Sequence, residues 1–364
     1  MMAKSGLFYL IVNPGLESVA KLELFEAWLQ APAFFSLESL PEVRVSKGGL
    51  EFRAPLDFGF FLNRVLKIPN RILLRLKTFD ADHESKLIKG LSEMEWGEWL
   101  KKGSPYQLQF TSKSSRLSYK RQAEQILQKI LKGHKQSKEE GPLFQIRIFR
   151  DQCTLSLDTT GERAQFRGEG KKVSRAPLRD NLAAGLLRIL LQGLDGDIEL
   201  IDPMCGSGTF LIEALSMGSL SSRRFAFEDF PVSQNFPEME SKSQNSKIRG
   251  VGFDKDPAAL ELARQNLKNF SSQSYQVELG DLFAKDSYPA PMTTRVVVVN
   301  PPWGKRLKIE NKNFLQAIDQ KFQPQRIGML VPAKWSYKDI SMEKVKDVLV
   351  LNSGLENRFL LFAR

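Results

Sequence analysis

The chain has 364 residues, 42% hydrophobic and 26% charged, which is the balance of a soluble globular protein with room for about two or three domains. Its longest apolar runs, such as Val296 to Val299, fall far short of the ~20 residues a membrane-spanning helix needs, and no apolar N-terminal stretch leads to a small-residue cleavage site. Cys153, Cys205, His83 and His134 stand at no metal-like spacing, which speaks against a zinc site or a disulfide framework and for a reducing cytoplasm.

The formal net charge is +11, and it is concentrated: residues 101–180 hold 18 Lys and Arg against 8 Asp and Glu. Such a segment suits a polyanionic partner, although a solvated basic face has the same composition.

In chain order, Leu7 to Val12 reads as a strand ending at the turn Asn13-Pro14-Gly15, and Leu16 to Trp28 as an amphipathic helix. Leu50 to Arg53 is a second strand and Phe58 to Val65 a second helix. Residues 1–65 then form a small α+β unit. The next unit, 66–165, starts with the strand Arg71 to Leu76 and a helix carrying Leu87, Ile88, Leu91 and Met94. The strand Tyr106 to Phe110, a basic helix from Tyr119 to Leu131 and the strands Phe144 to Phe149 and Thr154 to Leu157 follow. Residues 161–178, rich in glycine and basic side chains, read as a linker.

From Leu182 the pattern changes to helix, strand, glycine turn, helix, strand. Glu199 to Ile201, Gly250 to Phe253, Gln276 to Leu279, Arg295 to Val299 and Arg326 to Val331 are the strands. That alternation predicts an α/β doubly wound parallel sheet over residues 166–364. Residues 219–249, with many Ser, Arg, Asn and Glu, are expected to be a surface insertion.

Asp202-Pro203-Met204-Cys205-Gly206-Ser207-Gly208-Thr209 falls where the first of these strands meets a helix. Gly206 and Gly208 allow a ligand close to the backbone, but this is neither the three-glycine dinucleotide fingerprint nor a phosphate loop. Asp254 follows the second strand and can grip a ribose diol; Asp281 follows the third and can accept from an adenine amino group. Asp256, before Pro257, reads instead as a helix N-cap.

The fourth strand runs into Asn300-Pro301-Pro302-Trp303. An exocyclic amine on a base is a poor nucleophile, because its lone pair is delocalised into the ring. The Asn300 side-chain oxygen and the Pro301 carbonyl can each accept one of its N–H bonds and turn the lone pair toward a methyl sulfonium. The proline pair stiffens the carbonyl, and Trp303 can stack on the base. Positioning then carries much of the rate. A proline-stiffened turn with a core tryptophan is the purely structural alternative.

These two motifs together resemble the THUMP-domain-containing class I guanine-N2 RNA methyltransferases, most closely the N-terminal half of the bacterial 23S rRNA enzyme. Gly48-Gly49-Leu50-Glu51-Phe52, Met94-Glu95-Trp96, the basic helix near Tyr119 and Ala176-Pro177-Leu178-Arg179 match in order. The resemblance implies S-adenosyl-L-methionine as cofactor, with Asp202, Pro203, Cys205, Gly206, Ser207, Gly208, Thr209, Asp254, Asp281 and Asn300 around it. It implies Asn300, Pro301, Pro302 and Trp303 as the catalytic motif, a ferredoxin-like domain at 1–65, a THUMP domain at 66–165 and a Rossmann-like methyltransferase domain at 166–364. Lys113, Arg116, Lys120, Arg121, Arg163, Arg167, Lys171 and Lys172 would contact RNA, either rRNA or tRNA. No metal and no membrane partner are expected.

Two features depart from the family. Its members more often carry Tyr or Phe where Trp303 stands, and the chain ends at Arg364, so it is expected to lack the second methyltransferase half of the fused enzymes. A tRNA guanine, an adenine N6 of DNA, a protein glutamine and a non-catalytic RNA-binding role remain the rival readings.

Overall fold

The computed structural model describes residues 4–32, 35, 37, 39–162, 178–234, 236–237, 247–284, 288–301, 314–337, 340–352 and 354–364. They divide into two compact units, residues 1–12, 23–164 and 221–240 in the first, and 13–22, 165–220 and 241–364 in the second.

The first unit is built on strands β1 (Ser5–Ile11), β2 (Arg44–Ser46), β3 (Gly49–Pro55), β4 (Arg71–Asp80), β5 (Gln107–Lys113), β6 (Leu143–Phe149) and β7 (Gln152–Asp158). Helices α1 (Glu17–Leu29), α2 (Leu56–Val65), α3 (Glu84–Ser92) and α4 (Lys120–Ile130) are interspersed. The strands form one seven-stranded sheet in the order β2-β3-β1-β4-β7-β6-β5, antiparallel except for the β5–β6 pair. Alternation sorts the two faces: Phe144, Ile146 and Ile148 are buried, while Arg147 between them and Phe149 after them are exposed.

Two expectations change here. The boundary at residue 65 is crossed by the ladder of β1 with β4, from Leu7 opposite Arg75 to Ile11 opposite Arg71, so residues 1–65 and 66–165 share one sheet. Of the segment expected as a surface insertion at 219–249, the described residues 221–234 pack into this unit instead. Phe227 and Phe230 are fully buried, and the Phe227 ring stacks on Phe60 at 5.2 Å with 3° between planes. Arg64 pairs with Glu228 at 2.9 Å beside them. Phe225, Phe227 and Phe230, all buried in a polar stretch, outweigh their neighbours, because each buries far more area than a serine or an arginine exposes.

The second unit contains α5 (Asp180–Leu191), β8 (Ile198–Asp202), α6 (Thr209–Leu215), β9 (Ile248–Asp254), α7 (Pro257–Leu267), β10 (Tyr275–Leu279), β11 (Thr294–Val299), α8 (Phe314–Phe322), β12 (Arg326–Pro332), β13 (Glu343–Asn352) and β14 (Leu355–Ala363). Its sheet order is β10-β9-β8-β11-β12-β14-β13. The first five strands are parallel, and β14 returns antiparallel to β12 and β13. The expected doubly wound sheet is present, and its order reverses between β8 and β11, where open α/β sheets bind ligands. Val296 to Val299 are fully buried, as a central parallel strand should be. α7 starts as its sequence predicts, with the Asp256 carboxylate accepting from the Ala258 N–H at 2.9 Å and Pro257 in the first turn.

Candidate cofactor and acceptor site

The site grows from the carboxyl ends of β8, β9, β10 and β11. Asp202 closes β8 and is level with Gly252 of β9; Leu279, at the end of β10, is level with Asp254. Asp202, Asp254 and Asp281 thus stand at one end of three neighbouring strands.

The turn after β8 is shaped by two left-handed residues, Gly206 at φ 53° and Gly208 at φ 82°, where any other side chain would be strained. The Cys205 N–H donates to the Phe253 carbonyl at 2.9 Å and the Gly208 N–H to the Cys205 carbonyl at 2.8 Å. Asp254 completes the brace: one carboxylate oxygen accepts from the Gly206 N–H at 2.9 Å and the other from the Asp256 N–H at 3.0 Å. Each oxygen keeps a further lone pair for a ligand hydroxyl.

Asp202 is 2% exposed and accepts one bond, from the Met204 N–H at 3.1 Å. Burial, and then the charge of Asp254, push its carboxyl up to about 8, against the pull of the Met204 amide. Burial likewise pushes the Cys205 thiol up, with the two aspartates adding to it. A loop edged by these two acidic side chains, with no basic side chain pairing them among the described residues, offers hydrogen-bond acceptors to a ligand carrying hydroxyls and an amino group rather than a phosphate cradle.

Asp281 accepts from the Phe283 N–H at 3.0 Å, and Lys321 donates to the Asp281 carbonyl at 2.9 Å. At the end of β11, Asn300 is half-buried and Pro301 buried. Val297 is level with Ile201, so Asn300 continues β11 beside the strand that ends in Asp202. Pro203, Ser207 and Thr209 are buried in the turn and the first turn of α6. Pro302 and Trp303 lie outside the described residues.

Three contributors escaped the sequence reading. Asn266 donates from α7 to the Ser207 carbonyl at 3.0 Å and pins the turn. Lys321 holds the Asp281 loop. Gly252 is dictated by crowding: a Cβ there would lie 2.8 Å from Leu211 Cδ1 and 3.0 Å from Cys205 Sγ. The Gly-Phe-Asp spacing hinted at Gly252; nothing local marked Asn266 or Lys321.

The basic candidates belong to the first unit. Lys113 ends β5, Arg116 lies in the loop beyond it, and Lys120 and Arg121 begin α4; all four are exposed. Arg116 stands 3.8 Å from the Asp151 carboxylate and Lys120 3.4 Å from Glu124. Arg163, Arg167, Lys171 and Lys172 lie outside the described residues. Among the described residues no helix is long and apolar enough to cross a membrane, and no group of three His, Cys, Asp or Glu side chains could hold a metal.

Residues 167–340 match the family model of the RMKL-like methyltransferase domain. A ribosomal RNA large subunit methyltransferase K/L from Colwellia psychrerythraea is 27% identical over 356 residues, covering 89% of this chain and 48% of that protein. A protein of the same name from Vibrio campbellii is 34% identical over 181 residues, 45% of this chain and 25% of its own length. The chain therefore spans about half, or less, of the length of these relatives. Among solved structures, a "possible methylase" from Clostridium difficile 630 superposes with TM-score 0.75 at 21% identity, covering 99% of this chain and 98% of that one. TrmN from Thermus thermophilus gives 0.71 at 16% identity, with 99% and 100% covered. Both likenesses are of fold.

Proposed function

We propose that the chain methylates the exocyclic N2 of a guanine in structured RNA, with large-subunit rRNA as the substrate and S-adenosylmethionine as the methyl donor. The observation that carries this reading is the placement of Asn300 and Pro301 at the end of β11, beside the strand ending in Asp202, where the sheet order reverses. The names of the curated relatives point to ribosomal RNA.

The residues present fit this cofactor. Asp202 faces the amino group of the methionine end, Gly206 and Gly208 let the chain pass close to it, Asp254 takes the ribose hydroxyls and Asp281 the adenine amine. When bound, S-adenosylmethionine supplies a sulfonium methyl group. Asn300 Oδ1 and the Pro301 carbonyl accept the two N–H bonds of the guanine amine and fix its lone pair toward that methyl group; Pro302 stiffens the turn and Trp303 stacks on the base. A guanine within a helix must first leave its stack, at a cost of a few kcal/mol. Lys113, Arg116, Lys120 and Arg121, with Arg163, Arg167, Lys171 and Lys172, supply phosphate contacts, and the first unit combines the ferredoxin-like and THUMP parts. The setting is the cytoplasm.

The test is methyl transfer by the purified chain from isotopically labelled S-adenosylmethionine to 23S rRNA, tRNA, duplex DNA and protein, read by mass spectrometry of nucleosides and peptides. Labelled N2-methylguanosine from 23S rRNA is the expected product. Labelled N6-methyladenosine, or label in protein alone, overturns the acceptor assignment.

A further inference from the structure

Of the basic side chains near the far edge of the first unit's sheet, the RNA contacts proposed above use Lys113 and leave out Arg147 and Arg150. There, β6 and β7 are joined by a two-residue turn, Arg150-Asp151, with φ of 50° and 61°. Two successive left-handed residues form the mirror-image hairpin turn that normally takes Asn-Gly, and neither arginine nor aspartate adopts it readily. The neighbouring loop after β5 carries a third, Ser114 at 53°.

Cross-bracing holds this geometry. The Asp151 carboxylate accepts from the Arg116 N–H at 2.7 Å, and Ser115 Oγ accepts from the Asp151 N–H at 3.1 Å. The Ala81 N–H donates to the Asp151 carbonyl at 2.7 Å and the Arg150 N–H to that of Lys113 at 3.3 Å. Strained residues persist where their surroundings over-determine them, and they cluster at functional sites.

What this framework presents is one aromatic ring among cations. Phe149, 39% exposed, lies on the face of the sheet opposite the buried Phe144, Ile146 and Ile148. The guanidinium carbons of Arg150 and Arg147 sit 5.2 Å and 5.9 Å from its ring centroid. Lys113 is its partner in register on β5, and Gln152 on β7. Among the described residues no carboxylate pairs with Lys113, Arg147 or Arg150. One row along, Thr111 and Thr154 flank Arg147 and add hydroxyls on the same face.

We propose that Phe149, bordered by Lys113, Arg147 and Arg150, is a stacking site for an unpaired nucleobase of the RNA substrate. The assignment rests on the RNA reading above and narrows it: the substrate carries a single-stranded segment that this unit grips apart from the guanine to be methylated. A ring face takes any base, and the cations neutralise the phosphates on either side of it. A protein partner would find here three uncompensated positive charges around one ring, whereas an RNA strand supplies the matching anions.

The test compares two RNA hairpins with the same stem, one blunt and one with a short single-stranded tail, bound to the full chain and followed by fluorescence anisotropy. The wild-type chain should favour the tailed RNA. Phe149→Ala should weaken binding of the tailed RNA about tenfold and leave the blunt one unchanged. Phe149→Leu, which keeps an apolar side chain without a ring, should behave like alanine, and Phe149→Tyr like wild type. Unchanged affinity of Phe149→Ala for the tailed RNA overturns the proposal and leaves the patch to a protein partner. An equal loss on both RNAs overturns it as well, since a folding or charge defect does not distinguish a tail. A wild-type chain that binds neither hairpin removes the RNA reading itself, and the stacking site with it.

Discussion

Asp254 braces the turn after β8 and is also the proposed holder of the ribose, so its removal acts twice. In Asp254→Ala the Gly206 N–H loses an acceptor at 2.9 Å and the Asp256 N–H one at 3.0 Å. Asp256 is exposed, so water replaces its partner at little cost. Gly206 is half-buried in the turn, and stranding its N–H costs about 1–3 kcal/mol. Losing the acceptors for the ribose hydroxyls costs a similar amount, or about one to two orders of magnitude in affinity. Asp254→Asn separates the two effects. Its remaining oxygen can still accept from Gly206, while the ribose loses one acceptor and the charge. Calorimetric titration with S-adenosylmethionine should therefore rank the affinities wild type, Asn, Ala. Thermal unfolding without ligand should show Ala lower by about 2–4 °C for each kcal/mol lost, with Asn nearer wild type. A folded Asp254→Ala chain with wild-type affinity would refute both the ribose assignment and the coupling through Gly206.

Asp202 should impose a pH dependence. Its ordinary value is 3.8 and burial pushes it up to about 8, so the native chain retains a proton that the unfolded chain has lost in that interval. Its contribution to stability therefore declines as pH rises from about 4 to about 8, and Asp202→Asn should flatten that slope in pH-dependent denaturation. Binding of a cationic cofactor favours the ionised carboxylate, so affinity should rise toward pH 8 in the wild-type chain and not in the variant. Asn300→Ala should lower methyl transfer by about a hundredfold or more, with the fold and most of the cofactor affinity retained; full activity would discard the acceptor assignment. Gly252→Ala forces a Cβ to within 2.8 Å of Leu211 Cδ1 and 3.0 Å of Cys205 Sγ, which should destabilise the chain by about 1–3 kcal/mol in urea unfolding. Charge reversal at Lys120 and Arg121 should flatten the salt dependence of RNA binding without altering cofactor affinity, because fewer counterions are released.

By itself the sequence determined the features whose cause is local. The change from mixed α+β patterning to strand–turn–helix repeats announced the parallel sheet, because a buried strand such as Val296 to Val299 must be apolar throughout. Gly206-Ser207-Gly208 marked a left-handed turn, and acids just beyond successive strands marked the ligand end of a doubly wound sheet. Only the tertiary structure decided what depends on distant partners. The bond from Gly206 to Asp254 spans 48 positions and that from Asn266 to Ser207 spans 59, so no window of sequence displays either. The same holds for the pairing of β1 with β4, which joins two expected domains in one sheet, and for Phe227, which finds Phe60 across more than half the chain's first unit. Local patterns prescribe which face of an element must be buried; which other element buries it is settled by packing, where a few large aromatic side chains outweigh a polar neighbourhood.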